Sequence, residues 1–260
     1  TTLAAVSADG IYIEEASALV VDLTGTISIS QVNFNSTVTT VTDDSLSDLE
    51  TTDAGVIKVV ALAGSITINE GDSDDSGVSA GSTGDVLLEA RGASSDVVFI
   101  ADIESGFGHI TLVADNDIDG DADTSTVDGT VYFWAKNATV DGAPDDGINL
   151  EAGTVINSGS GNVRLLAGNE SDIYLNQVLA GTGSVSAKAE RSILDNNAGI
   201  NNVTAAVLRL EADSDKDEVG QIGDADTGNG TPGVNVNAID TDVTTLAAVS
   251  ADGIYIEEAS

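Results

Sequence analysis

The run Asp115-Asn116-Asp117-Ile118-Asp119-Gly120-Asp121-Ala122-Asp123 sets a carboxylate at every second position around one glycine. Its opening, D-x-D-x-D-G, is the start of a calcium loop. Calcium takes about six to eight hard oxygens; alternate acids on a tight turn converge them, and the glycine permits the bend. In a full loop the twelfth position is a bidentate glutamate. Here it is Thr126, with Asp128 two residues beyond, so a bare calcium turn is expected rather than a helix–loop–helix hand. Asp213-Ser214-Asp215-Lys216-Asp217-Glu218 is a weaker version, with a glutamate at the sixth position and a lysine among the ligands. Asp72-Ser73-Asp74-Asp75-Ser76-Gly77 has the same spacing. Calcium bound to extracellular turns of this kind is held weakly, with dissociation constants on the order of 10⁻⁴–10⁻³ M. The competing reading of all three is an acidic β-turn, because Asp, Ser and Gly favour turns without any metal.

Other chemistry has little to work with. His109 is the single histidine and cysteine is absent. No Ser–His–Asp arrangement, thiolate nucleophile, zinc site or disulfide framework can be built from that inventory. No glycine-rich loop carries a lysine for phosphate. A β-helical polysaccharide-degrading enzyme would need a distinguished acid pair or an acid with Arg or Lys in a groove, and no pair stands out among the carboxylates. The chain therefore reads as a non-enzyme. An ice- or mineral-binding face would need threonines at a regular spacing; the pairs Thr39–Thr40, Thr51–Thr52 and Thr244–Thr245 do not supply one.

The acidic turns sit between short recurring strands. The pattern is Gly, any, Val or Ile, any, Leu, any, Ala. It begins at Gly55, Gly84, Gly108, Gly129, Asp146, Gly161, Gly183, Ala206 and, more faintly, Asp242, and closes on Ala61, Ala90, Ala114, Ala135, Ala152, Ala167, Ala189, Ala212 and Ala248. Each copy alternates with a period of two, the geometry of a strand. Ile110, Leu112 and Ala114 point one way; His109, Thr111 and Val113 point the other. The leading glycine is expected to allow a turn with positive φ. Second short strands follow at 65–69, 172–175 and 10–13, and Gly/Asn/Asp/Ser turns separate them.

Units of about twenty residues without helical periodicity predict an all-β fold, a right-handed parallel β-helix (β-solenoid) whose coils bury a continuous core only by stacking. Roughly twelve coils at about 4.8 Å each would give a rise of about 55–60 Å. Tandem β-sandwich domains are the alternative. Residues 18–54 fit the pattern least: Gly25 to Ser30 is a partial copy, and the Asp/Ser/Thr-rich 36–53 reads as a long loop.

Tyr132 and Trp134 share the outward side of their strand, and Val60, Val113 and Leu166 occupy the same pattern position as Trp134; stacked in register they would form an apolar contact stripe. Such a stripe marks contact with another chain or with sugar rings, unless an adjoining segment covers it. Lys58, Arg164 and Arg209 also face outward, toward surface acids.

Residues 1–17, TTLAAVSADGIYIEEAS, recur letter for letter as 244–260. The expected organisation is one tandem unit, 1–243, followed by the start of the next identical unit, 244–260. Function is then expected from length and repetition, with neighbouring units as head-to-tail partners. Acidic residues number 44 against 8 basic, a net charge of −36. That balance excludes nucleic acid, whose phosphates need Lys and Arg, and names a multivalent cation, Ca²⁺, as the natural counterpart. No apolar run in this segment is long enough to insert into a membrane.

The stretches AAVLRLEADSD (205–215), QIGDADTG (221–228) and TDVTTLAAVSADGIYIEEAS (241–260) resemble the repeats of giant bacterial surface proteins of the filamentous-haemagglutinin-like adhesin group. The resemblance covers most of the chain. It implies export, display outside or on the surface of a bacterium, a right-handed β-helical shaft, and adhesion to other copies or to a partner cell. The heavy acidity and the long identical unit depart from that group's pattern.

Overall fold

A computed structural model describes residues 1–136, 147–197, 199–225 and 237–259. Asp146, which opens one recurrence, Asp226, Thr227 and Gly228 of the resemblance, and Ser260 of the duplicated segment lie outside the described residues.

Among the described residues the secondary structure is β throughout. Apart from one hairpin, every strand pairing is parallel. The strands fall into three columns that the chain visits in turn. The first holds Val56–Ala61, Val86–Ala90, Ile110–Ala114, Val131–Ala135, Val163–Ala167 and Ser184–Ala189, each bonded to the next. The second runs Leu19–Val21, Ile66–Ile68, Val97–Phe99, Ile118–Gly120, Gly147–Leu150, Asp172–Leu175 and Ile193–Asp195. The third runs Leu49–Thr51, Ser76–Ala80, Asp102–Ser105, Thr124–Thr126, Val155–Asn157 and Gln177–Leu179. One strand from each column makes a rung of about twenty to thirty residues, and residues of matching type face each other on successive rungs.

The period-two alternation decides what is inside. Ile57, Val59, Ala61, Val86, Leu88, Ala90, Ile110, Leu112 and Ala114 are buried, with Ile66, Ile68, Val97, Phe99, Ile103 and Ile118 from the other two columns. Six closing alanines stack in direct register, Ala61, Ala90, Ala114, Ala135, Ala167 and Ala189, all fully buried. Ala152 and Ala248 are not in that column. Residues 147–150 lie in the second column, not the first, and Ala248 faces Leu210. Phe99 and Phe133 meet edge to face inside, with centroids 6.1 Å apart. Gly120 stands in register with Phe99, where a Cβ would strike the ring.

The leading glycines do not serve the purpose expected of them. Gly55, Gly84, Gly108, Gly129, Gly161 and Gly183 are not among the residues with positive φ. They stack, and a Cβ on any of the last five would run into the carbonyl of the glycine one rung below. Close approach of backbones is what requires glycine here. Buried hydroxyls complete the corner: Ser105 Oγ donates to the Gly84 carbonyl at 2.8 Å and Thr126 Oγ1 to the Gly108 carbonyl at 2.9 Å. These bonds satisfy backbone oxygens that the bend removes from the ladder.

Two expectations need correction. The first column carries nine strands, from Gly10–Glu15 to Ile239–Val249, not twelve. Rungs are longer than twenty residues, and one excursion leaves the stack. That excursion overlaps the stretch 36–53 read as a loop. Ile27–Val32 and Val38–Asp43 form an antiparallel hairpin, and Leu49–Thr51 returns to the third column. The antiparallel pairing on which a sandwich depends occurs, among the described residues, only in this hairpin.

Candidate functional site

The strongest sequence candidate is not a turn. Asp115 to Asp123 runs extended around a corner and through the second column, with Ile118 and Gly120 facing in. Asp117 and Asp119 lie on the outer side, and Asp121 is exposed. Several of these acids bind the backbone of neighbouring rungs. Asp96 Oδ1 accepts the Asp117 amide at 3.2 Å, and Asp117 Oδ1 accepts the Gly147 amide at 2.7 Å. One corner on, Asp102 Oδ1 accepts the Asp123 amide at 2.9 Å, and Asp123 Oδ1 accepts the Val155 amide at 2.8 Å. The Gly92 amide donates to Asp115 Oδ2 at 2.8 Å, and Lys136 Nζ lies 3.1 Å from Oδ1. Burial pushes Asp115 upward, but the amide and the ammonium outweigh it and hold its carboxyl below the usual range. Charge-assisted bonds of this kind are stronger than neutral ones. Part of the acidity is thereby explained: carboxylates receive strand-entry amides of the next rung. Asp121 and Asp123 also border an acidic hollow of about 300 Å³ with Glu70, Asp75 and Asp102.

Two other groups do converge. Among the described residues, Asp213, Asp215 and Asp217 can each bring an oxygen within 4.8 Å of the others, and so can Asp48, Asp72 and Asp74. The first trio is the local turn read from sequence. Asp213 stands at φ 55°, and its Oδ1 accepts the Glu218 amide at 3.2 Å. The second trio joins two sequence candidates to Asp48, which sequence reasoning missed. Asp48 lies where the chain returns from the hairpin, and only the register of the third column brings it beside the 70–76 loop. The trio borders a cavity of about 470 Å³ whose lining includes Glu50 and Glu104 and no lysine or arginine. That loop is shaped by Glu70, whose Oε1 accepts the amides of Asp72 and Asp74, each at 3.1 Å, and of Ser73. Ser47 Oγ donates to Asp72 Oδ2 at 2.8 Å. Burial, then the neighbouring Asp72, Asp74 and Glu70 charges, raise the Asp48 carboxyl against a lowering bond from Ser47.

Of the predicted contact stripe, Tyr132 stands in register with Thr111 and Arg164, and the other members share a column that is not a bare apolar surface. In register it reads Val60, Glu89, Val113, Trp134, Leu166, Lys188, Glu211. Glu89 interrupts it, and Val60 and Val113 are buried although they are on the outward side. Tyr132 and Trp134 stack at 6.4 Å. Lys136 Nζ sits 5.3 Å from the Trp134 ring centre, and the Arg164 guanidinium lies equally far from Tyr132. Lys136 also reaches Glu89 at 3.5 Å. The bond to Arg91 is the main cause that holds Glu89 below its ordinary range. Arg209 pairs with Glu211 at 2.7 Å. His109 Nδ1 accepts the Thr130 amide at 3.0 Å, one more link between rungs.

The hairpin is the feature least visible beforehand. Its strands are exposed along almost their whole length, with Ile27, Ile29, Val32, Phe34 and Val38 open to solvent. The alternation of Ile27, Ile29 with Val38 and Val41 around Asn33–Thr37 is the signal that could have found it.

Compared with protein-family models, with curated proteins and with solved structures, the chain matches none.

Proposed function

We propose that this chain is a section of a right-handed parallel β-helical shaft in an elongated protein outside or on the surface of a bacterial cell, acting in adhesion or cell–cell contact. The observation that carries the reading is the uninterrupted parallel ladder of the first column, with six alanines and six glycines in register. Such a stack buries apolar surface only against its own neighbours, so length adds without a new core. Right-handedness follows from the strong preference of parallel crossover connections. Neighbouring units of the same protein are the natural partners, because a rung leaves unpaired amides and carbonyls on its open edge. Adhesion and surface display rest on the resemblance of 205–215, 221–228 and 241–260 to the adhesin repeats.

Negative-stain microscopy or small-angle scattering of chains holding one, two and three copies of residues 1–243 tests the shaft. Eight first-column strands lie within residues 1–243, the ninth being reached only at 245–249, so rungs at about 4.8 Å predict a rod that lengthens by about 38 Å per copy at constant width. Particles that gain copies as separate globular beads on flexible joints overturn it.

A further inference from the structure

We infer that Asp48, Asp72 and Asp74 form a calcium site that fastens the root of the hairpin to the following rung. This goes beyond the shaft reading and does not depend on the rod. Three observations converge. First, an oxygen from each carboxylate lies within 4.8 Å of the others. Calcium–oxygen bonds of about 2.3–2.6 Å let ligands across one ion stand about 4.6–5.2 Å apart, so the trio fits within a single coordination sphere. Second, Asp48 is only 7% exposed, and its Oδ1 is buried without a hydrogen-bond donor. An ionised oxygen in that position is costly unless a cation or a proton meets it. Third, the adjoining cavity of about 470 Å³ adds Glu50 and Glu104 and offers no basic side chain. It has room for the waters that fill a calcium shell.

The trio also has a structural location that gives an ion something to do. Asp48 ends the excursion through 22–48, and its carbonyl accepts the Ala5 amide at 2.8 Å. Asp72 and Asp74 belong to the loop of the next rung. Across that gap Ser47 Oγ donates to Asp72 Oδ2, and Asn69 Nδ2 donates to Asp22 Oδ2 at 2.9 Å. An ion would replace carboxylate repulsion with a shared ligand between two rungs. The Asp213 trio has the same charge but lies within one turn, and no buried oxygen there lacks a donor.

Calorimetric titration of the whole chain with CaCl₂ at roughly physiological ionic strength, where diffuse ion binding is screened, tests the site. The expected result is one saturable component for the wild type, weaker with MgCl₂ because magnesium demands a tighter octahedron. Asp48→Asn and the more exposed Asp74→Asn should both lose it, and Asp217→Asn should keep it. Thermal melting gives a second readout. Without calcium, Asp48→Asn should melt above the wild type, because a buried charge has gone, and added calcium should no longer raise its Tm. If the wild type shows no saturable component, or either variant of the trio retains it, the site is overturned. A lower calcium-free Tm for Asp48→Asn with the calcium response intact would assign Asp48 a purely structural role and also overturn it. Failure here leaves the rod's length unchanged, whereas beads in the microscope would leave the calcium signal unchanged.

Discussion

Residues 1–17 and 244–260 have one sequence and two positions in the stack. In the first copy, Thr2–Leu3 lies in the second column, Ala5–Ser7 in the third and Gly10–Glu15 in the first. In the second copy, residues 245–249 lie in the first column, Gly253–Ile254 in the second and Ile256–Glu258 in the third. The same residues thus meet different columns in the two copies. Ile11 is buried and its duplicate Ile254 is about half exposed. Glu14 is close enough to Arg91 to act on it, while Glu257 stands in register with Asp240. Alternation makes a strand but does not choose its column. In the second copy, Thr241–Val243 is already paired with Val203–Ala205, and that continuous strand carries Thr245 onto the first column. In the central rungs no such freedom exists, because the glycine and alanine columns admit one register only.

Breaking a central column is the largest effect expected. Gly129→Ala puts a methyl group into the Gly108 carbonyl and crowds Thr126 Oγ1. The backbone has no flexible end to move aside, so the cost should exceed about 3 kcal/mol, read as a fall in the urea midpoint. A change under about 1 kcal/mol would mean that the glycine stack does not set the register. Next in size is a paired substitution that reads the difference between the copies directly. Ile11→Asp buries a charge and should cost about 3 kcal/mol or more, whereas Ile254→Asp should stay within about 0.5 kcal/mol. Equal costs would show that the two copies occupy equivalent surroundings in solution.

These contrasts also mark what sequence could disclose. Alternation and a recurring closing alanine were enough to predict parallel stacked strands, and Ala61 through Ala189 stack as expected. The glycines were located correctly for the wrong reason, since stacking distance is not visible in one strand. Residues 146–152 match the pattern, yet 147–150 occupy the second column, because the pattern states which side faces in and is silent on which column receives it. The acids of 115–123 were legible as a cluster. Their bonds to Gly92, Gly147 and Val155 depend on rungs 23 to 32 residues away. Asp48 was illegible for the same reason, being 24 residues from Asp72 in sequence and adjacent only after the hairpin closes.

The duplicated glutamates differ by the smallest expected effect. Asp240 is raised from 3.8 to about 6, by burial first and then by Glu257 and Asp195. The unfolded chain releases this proton near its ordinary value and the folded chain releases it near 6. Between those values the folded state holds more protons, so stability is greatest at the acid end, falls as pH rises toward 6, and levels off above it. Asp240→Asn should therefore flatten the stability curve between about pH 4 and 6 and leave the variant more stable than the wild type above that window. Glu257→Gln should reproduce part of the change, because Glu257 ranks behind burial as a cause. Glu14→Gln, the same substitution in the other copy, should leave the window untouched, since Glu14 acts on a guanidinium rather than on a buried carboxyl. Urea melts at half-unit pH steps would separate the three. If Glu14→Gln and Glu257→Gln shift the curve alike, the two glutamates share one environment, and the different columns of the two copies are not the arrangement in solution.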